Sequence, residues 1–166
     1  WITTDGTITI PTFGGGYNYD ISWTNLSNVG VGNGSATART GSYTINSLTN
    51  NNTYEIAITG IFPHFRMYNN PIERTKLRTI EEWGDIEWSS MSYGFSGCSN
   101  LTYSAIDNPN LTGVTDMQNM FEGCTSFNGD IGGWDISTIT RISGMFNGAV
   151  SFNQDIGGWN TAAVTS

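Results

Sequence analysis

The chain has 166 residues, only 12% of them charged, and its 14 acidic against 6 basic side chains leave a net charge of −8. Such a charge repels phosphate backbones and anionic headgroups, which argues against nucleic acid or a membrane surface as partner. Solubility rests on Ser, Thr, Asn and Gly, as in extracellular repeat and β-rich proteins.

No stretch approaches the roughly 18 continuous apolar residues of a membrane span. No charged, apolar leader precedes Trp1, so a soluble mature protein or a fragment is expected.

Residues 1–63 read as a small β-sandwich of five to seven short strands. "GTITIPTF" (6–13) and "YNYDISW" (17–23) alternate apolar and polar, placing Tyr17, Tyr19, Ile21 and Trp23 on one face, and "GGG" (14–16) marks the turn between them. "GSYTINSL" and "TYEIAITGIF" carry the same period across "TNNN" (49–52), which predicts a hairpin. Residues 24–40 are too rich in Gly and Asn for a strand assignment.

Residues 64–87 read as a junction and first solenoid turn. Pro63 and Pro71 punctuate them, and they hold four of the six basic residues. The acidic run Glu81, Glu82, Asp85 and Glu87 is expected to be a solvated face.

Residues 88–166 repeat. With a shift of 25, Met120, Phe121, Phe127, Ile131 and Trp134 fall on Met145, Phe146, Phe152, Ile156 and Trp159. With a shift of 26, Met91, Phe95 and Cys98 precede Met117, Phe121 and Cys124. "VTDMQNMFEGC" (114–124) predicts a helix of one to two turns, capped at Thr115 and ended by Gly123, followed by an extended "FNGDIGGWDIS". Such a unit cannot bury its own apolar face, so neighbouring units must stack around a shared core of those ten apolar residues. The expected class is therefore mainly β with short helices, a sandwich followed by a solenoid. A solenoid stopping at "WNTAAVTS" would leave an open edge that needs a cap.

The units "VTDMQNMFEGCTSFNGDIGGWDIS" and "ITRISGMFNGAVSFNQDIGGWN" resemble the repeats of the BspA-like surface proteins of bacteria, a divergent leucine-rich-repeat group. The preceding β-region is similar to the Ig-like or PKD-like domain that often leads into such repeats, without the usual Gly-Asp-Gly turn after Trp23. The resemblance implies secretion, display at the cell surface, and adhesion to or recognition of proteins or glycans. It implies no catalysis and no cofactor.

The residues themselves agree with a non-enzyme. His64 is the only histidine, and no nucleophile elbow or metal-ligand spacing surrounds it, so a surface or interdomain packing role is expected. A glycan hydrolase would need paired acids in a cleft, and no such pair stands out.

Cys98 and Cys124 occupy equivalent positions, which allows a disulfide or, as favoured by Ala149 at the third position, stacked buried thiols. Asp130 and Asp155 also superpose; they are weak metal candidates, with local turn capping the expected use. Tyr68, Tyr93 and Tyr103 lack an inward role and offer a glycan platform. Five sequons, at Asn25, Asn33, Asn51, Asn100 and Asn110, matter only in a host that glycosylates them.

The leading expectation is a secreted surface protein that recognises proteins or glycans. The alternative is a subunit that self-associates through its open end, head to tail, into a filament.

Overall fold

The computed structural model describes all 166 residues. It is mainly β with almost no helix, built from small sheets that close no barrel. Strands β1 (Ile8–Ile10), β2 (Asn18–Asn25), β3 (Gly34–Arg39), β4 (Tyr43–Ile45) and β5 (Tyr54–Ile61) precede one four-residue helix, α1 (Glu73–Lys76), and the two-residue strands β6 (Thr79–Ile80) and β7 (Thr102–Tyr103). No helix is long and apolar enough to cross a membrane.

The strand faces are as expected, but the pairing is not. The expected hairpin over 41–62 does not form: β4 pairs with β1, while β5 pairs along its whole length with β2, from Asn18 opposite Ile61 to Asn25 opposite Tyr54. Alternation specifies which side chains face inward and leaves the partner strand open. Here the eight-residue β2 finds a full-length antiparallel partner only in β5.

Residues 24–40 hold a strand after all, because β3 returns along β2. The buried Asn25 organises the loop between them: its Oδ1 accepts from the Ser27 and Asn28 amides at 3.0 Å, and its Nδ2 donates to the Val31 carbonyl at 3.0 Å. A buried amide with its donors and acceptors satisfied replaces the apolar signal that strand reading relies on.

Beyond residue 62 the chain advances in coils joined by a repeated ladder. The amides of Met91, Tyr93, Phe95 and Gly97 donate to the carbonyls of Asp116, Gln118, Met120 and Glu122. Those of Met117, Asn119, Phe121 and Gly123 donate in turn to Arg141, Ser143, Met145 and Asn147. The expected helix at 114–124 is therefore absent. Every second amide is committed to the next coil, and the others close tight turns such as Met120 to Met117 and Cys124 to Phe121, leaving no donors for a helical run. The expected cap is also elsewhere, since Asp116 Oδ1 rather than Thr115 accepts from the Gln118 amide.

The ladder begins earlier than the letters repeat. Met67 donates to Tyr93 and Gly94, and Thr102 donates to Arg78 beside the parallel pairing of β6 with β7. Trp83, which stands two periods before Trp134, meets it edge to face at 5.4 Å.

One buried cluster of 31 apolar residues runs from Ile8 to Met145, so no break in the core falls at residue 63. Phe62 and Phe65 pass the core from the sheets to the coils, where Phe95, Phe121 and Phe146 stack at 5.6 and 6.0 Å. Each fully buried ring contributes about 1.5–3 kcal/mol by leaving water. Of the ten expected core residues, Met120, Phe121, Phe127, Ile131, Trp134 and Met145 are buried. Phe146, Phe152, Ile156 and Trp159, in the last coil, are half-buried against the same core.

The N-terminal segment closes the other side of the first coil. Thr12 bridges Phe65, the Ile2 amide donates to the Lys76 carbonyl at 2.8 Å, and the Thr9 amide donates to Glu73 Oε2 at 2.9 Å. Lys76, with a fully buried side chain, donates from Nζ to Asp5, Glu73 and the Thr7 carbonyl, which ties α1 to the start of the chain.

Candidate functional site

Where the β-sheets meet the first coil, four side chains from three separate segments converge at the surface. The Arg66 guanidinium lies 4.0 Å from the centroid of the Phe13 ring, 4.8 Å from that of Tyr93 and 5.6 Å from that of Tyr68. The two tyrosine rings are 4.7 Å apart at 51°. Phe13 keeps 56% and Tyr68 44% of its surface exposed, whereas every other aromatic ring of the chain is buried or half-buried.

Each segment is fixed from beneath. The Tyr17 hydroxyl donates to the His64 carbonyl at 2.6 Å and accepts from the Phe13 amide at 2.8 Å, which pins the turn carrying Phe13. His64 is buried, its ring 5.7 Å edge-on to Phe13. Its Nε2 is 2.9 Å from the Ser92 carbonyl; a carbonyl only accepts, so this nitrogen carries the proton. Burial holds His64 below its ordinary pKa, so the ring beside the guanidinium is neutral. The expected packing role of His64 thus positions the rim of this cluster. Arg66 itself forms no ion pair, for the chain's three salt bridges join Lys76 to Asp5, Lys76 to Glu73 and Arg141 to Asp116.

Tyr93 is held against its local preference. Its φ is +56°, and the equivalent positions in the next two coils, Asn119 and Gly144, have φ of +54° and +67°. The repeat demands a left-handed residue here; Asn and Gly meet that demand readily, whereas a bulky side chain does so at about 1–2 kcal/mol. Asn69, next to Tyr68, is also left-handed, at +68°.

The residues singled out by sequence fall in several places. Tyr68 and Tyr93 come together, while Tyr103 does not join them: its hydroxyl accepts from Trp83 Nε1 at 2.9 Å and its ring meets Phe127 edge-on. Phe13 and Arg66 were not foreseen, because neither carries a motif and 53 positions separate them.

Cys98 and Cys124 are free, buried thiols. Cys124 Sγ donates to the Phe95 carbonyl at 3.0 Å, and burial pushes this thiol up to about 12 and that of Cys98 well above its usual value. Asp130 and Asp155 each accept, through Oδ1, from the amide two residues on, Gly132 at 3.2 Å and Gly157 at 2.8 Å. No three His, Cys, Asp or Glu side chains gather anywhere in the chain. Asn128 Oδ1 accepts from the Asn153 amide at 2.8 Å, and a side chain at Gly132 would meet the Asp155 carbonyl oxygen at 2.5 Å. The recurring "SFNxDIGGW" phrase thus serves turn formation and close stacking of coils.

A family model described as "Mycoplasma protein of unknown function, DUF285" matches residues 89–166, which hold the repeated letters and most of the ladder. No curated protein and no solved structure matches the chain.

Proposed function

We propose that this chain is a secreted, cell-surface recognition module of a bacterium, an Ig- or PKD-like β-unit leading into a leucine-rich-repeat-like solenoid that adheres to proteins or glycans. The observation that carries the reading is the convergence of Phe13, Arg66, Tyr68 and Tyr93 at the surface, on a scaffold whose other aromatics are mostly core. Support for the solenoid is the ladder with its period of about 25 residues. Support for display outside the cell is the uncharged polar surface and the BspA-like repeat phrase.

The test has two arms. Antibodies against the chain should label intact cells of the organism that makes it, and the purified chain should bind saturably to arrayed glycans or extracellular proteins. Absence of both overturns the reading.

The filament alternative draws on the half-buried Phe146, Phe152 and Trp159, which line a shallow hollow of about 450 Å³ with Ile142 and Met145 or pack beside it. A second copy would have to seat its first coil there, yet that coil is covered by residues 1–12 through the Thr12–Phe65 bridge and the Lys76 ion pairs. Recognition is the better-supported reading. Sedimentation distinguishes the two, since a monomer that persists on concentration overturns the filament.

A further inference from the structure

We propose that the Arg66 cluster is a binding site for a carboxylate-bearing sugar residue, with the guanidinium taking the carboxylate and Tyr68 and Tyr93 taking the apolar face of the pyranose. This names the ligand class of the site on which the recognition reading rests.

A guanidinium in contact with ring faces is attracted through its own face, and its in-plane N–H donors stay free for a planar acceptor such as a carboxylate. Arg66 is in this condition, with three rings around it and no carboxylate partner in the chain. The fit is to one charge. Arg66 is the sole cation of the cluster, since His64 is neutral, and the chain carries −8 overall, so a polyphosphate or sulfated chain meets net repulsion. A uronic or sialic acid unit brings a single carboxylate together with a C–H face that packs on an aromatic ring. An acidic peptide brings the carboxylate on a flexible stem, without that face.

The position of Tyr93 argues that the ring itself is what is kept. The fold places a left-handed residue there, at +56°, where the following coils use Asn119 and Gly144. A tyrosine is a poor choice for that backbone and a good one for a stacking surface beside Tyr68, 4.7 Å away. Asn69, which follows Tyr68, is exposed and carries an amide suited to hydroxyls, while the Asn70 side-chain amide donates to the Tyr68 carbonyl at 3.4 Å.

The test titrates the whole 15N-labelled chain with glucuronic acid and sialyllactose, with glucose and lactose as neutral partners and tetraglutamate as the acidic peptide. Saturable shifts centred on Arg66, Tyr68 and Tyr93 are expected for the two acids only. Arg66→Gln should weaken them by about tenfold or more, the loss of a charge-assisted pair. Tyr93→Asn supplies the control for folding: it relieves the backbone, so its melting temperature should equal or exceed that of the parent while binding is lost. Equal binding of the neutral sugars, or binding of tetraglutamate in place of the acids, overturns the proposal. So does full binding by the Tyr93→Asn chain. A chain that ignores both acids yet binds arrayed glycans or proteins through other residues overturns this inference alone, whereas one that binds nothing overturns the recognition reading with it.

Discussion

Phe121 and Phe127 lie face to face, with ring centroids 4.0 Å apart and planes 13° from parallel, and one coil later Phe146 and Phe152 repeat the pair at 4.1 Å and 7°. The two pairs differ in cover. Phe121 is fully buried between the rings of Phe95 and Phe146, whereas Phe146 is half-buried in the last coil. Phe121→Ala should therefore destabilise the chain by about 3–5 kcal/mol, through lost burial and the cavity left behind. Phe146→Ala should cost less than half of that. Urea unfolding of both variants checks the ordering, and equal losses would show that the last coil shares the packing of the middle one.

The column was legible in the sequence because Phe and Trp recur at identical spacing from Phe121 to Trp159, and stacking follows from recurrence. The helix was misread for a physical reason. Met117, Met120 and Phe121 at helical spacing also suit consecutive tight turns, and only the ladder to Arg141, Ser143, Met145 and Asn147 decides between them. The first coil was legible only as a junction and first solenoid turn without a letter repeat, because Asn108 stands near the middle of the interval from Trp83 to Trp134, which hides the period. The Arg66 cluster was half legible: Tyr68 and Tyr93 stood out as rings without an inward role, but Tyr93 joins the Arg66–Tyr68 stretch only through the Met67 ladder bonds, and Phe13 only through the Thr12–Phe65 bridge. Such long-range pairings leave no local pattern.

Lys76 is the most deeply placed charge in the chain, with Nζ 2.9 Å from Asp5 and 2.8 Å from Glu73. Lys76→Met removes the cation from between two carboxylates and should cost about 3–5 kcal/mol, with part recovered in the Lys76→Met, Glu73→Gln double variant. The hydrogen bond from Lys76 holds Asp5 at about 2, against an ordinary 3.8. A lowered carboxylate pKa contributes stability that is fully present above 3.8 and is lost as the pH falls toward 2. Acid titration of Asp5→Asn should show a shallower loss in that window. An unchanged acid limb would mean that the pair is not what acid breaks.

The two thiols should be inert in the native chain. Only the thiolate reacts, and burial raises the Cys124 pKa to about 12 and moves that of Cys98 in the same direction. Iodoacetamide at about pH 8 should therefore leave both unmodified until guanidinium unfolds the chain, after which both label. Rapid labelling of the native chain, or an intact mass two hydrogen atoms lighter from a disulfide, would contradict the buried thiol arrangement.

His64 gives the fold a second pH dependence, well separated from that of Asp5. Burial lowers its pKa below the ordinary 6.5, while the unfolded chain takes up its proton near that value. The unfolded state thus binds more protons below pH 6.5, and stability falls as the pH drops from there. The neutral ring is also the one that donates from Nε2 to the Ser92 carbonyl and packs edge-on against Phe13, so this titration bears on the rim of the Arg66 cluster. Urea midpoints measured between about pH 7.5 and pH 5 should decline more steeply for the parent chain than for His64→Gln, which keeps only the loss from the Trp1 amino group, held by burial at about 6. If both decline in parallel, His64 is already protonated in the folded state and the neutral ring assigned to the cluster is wrong.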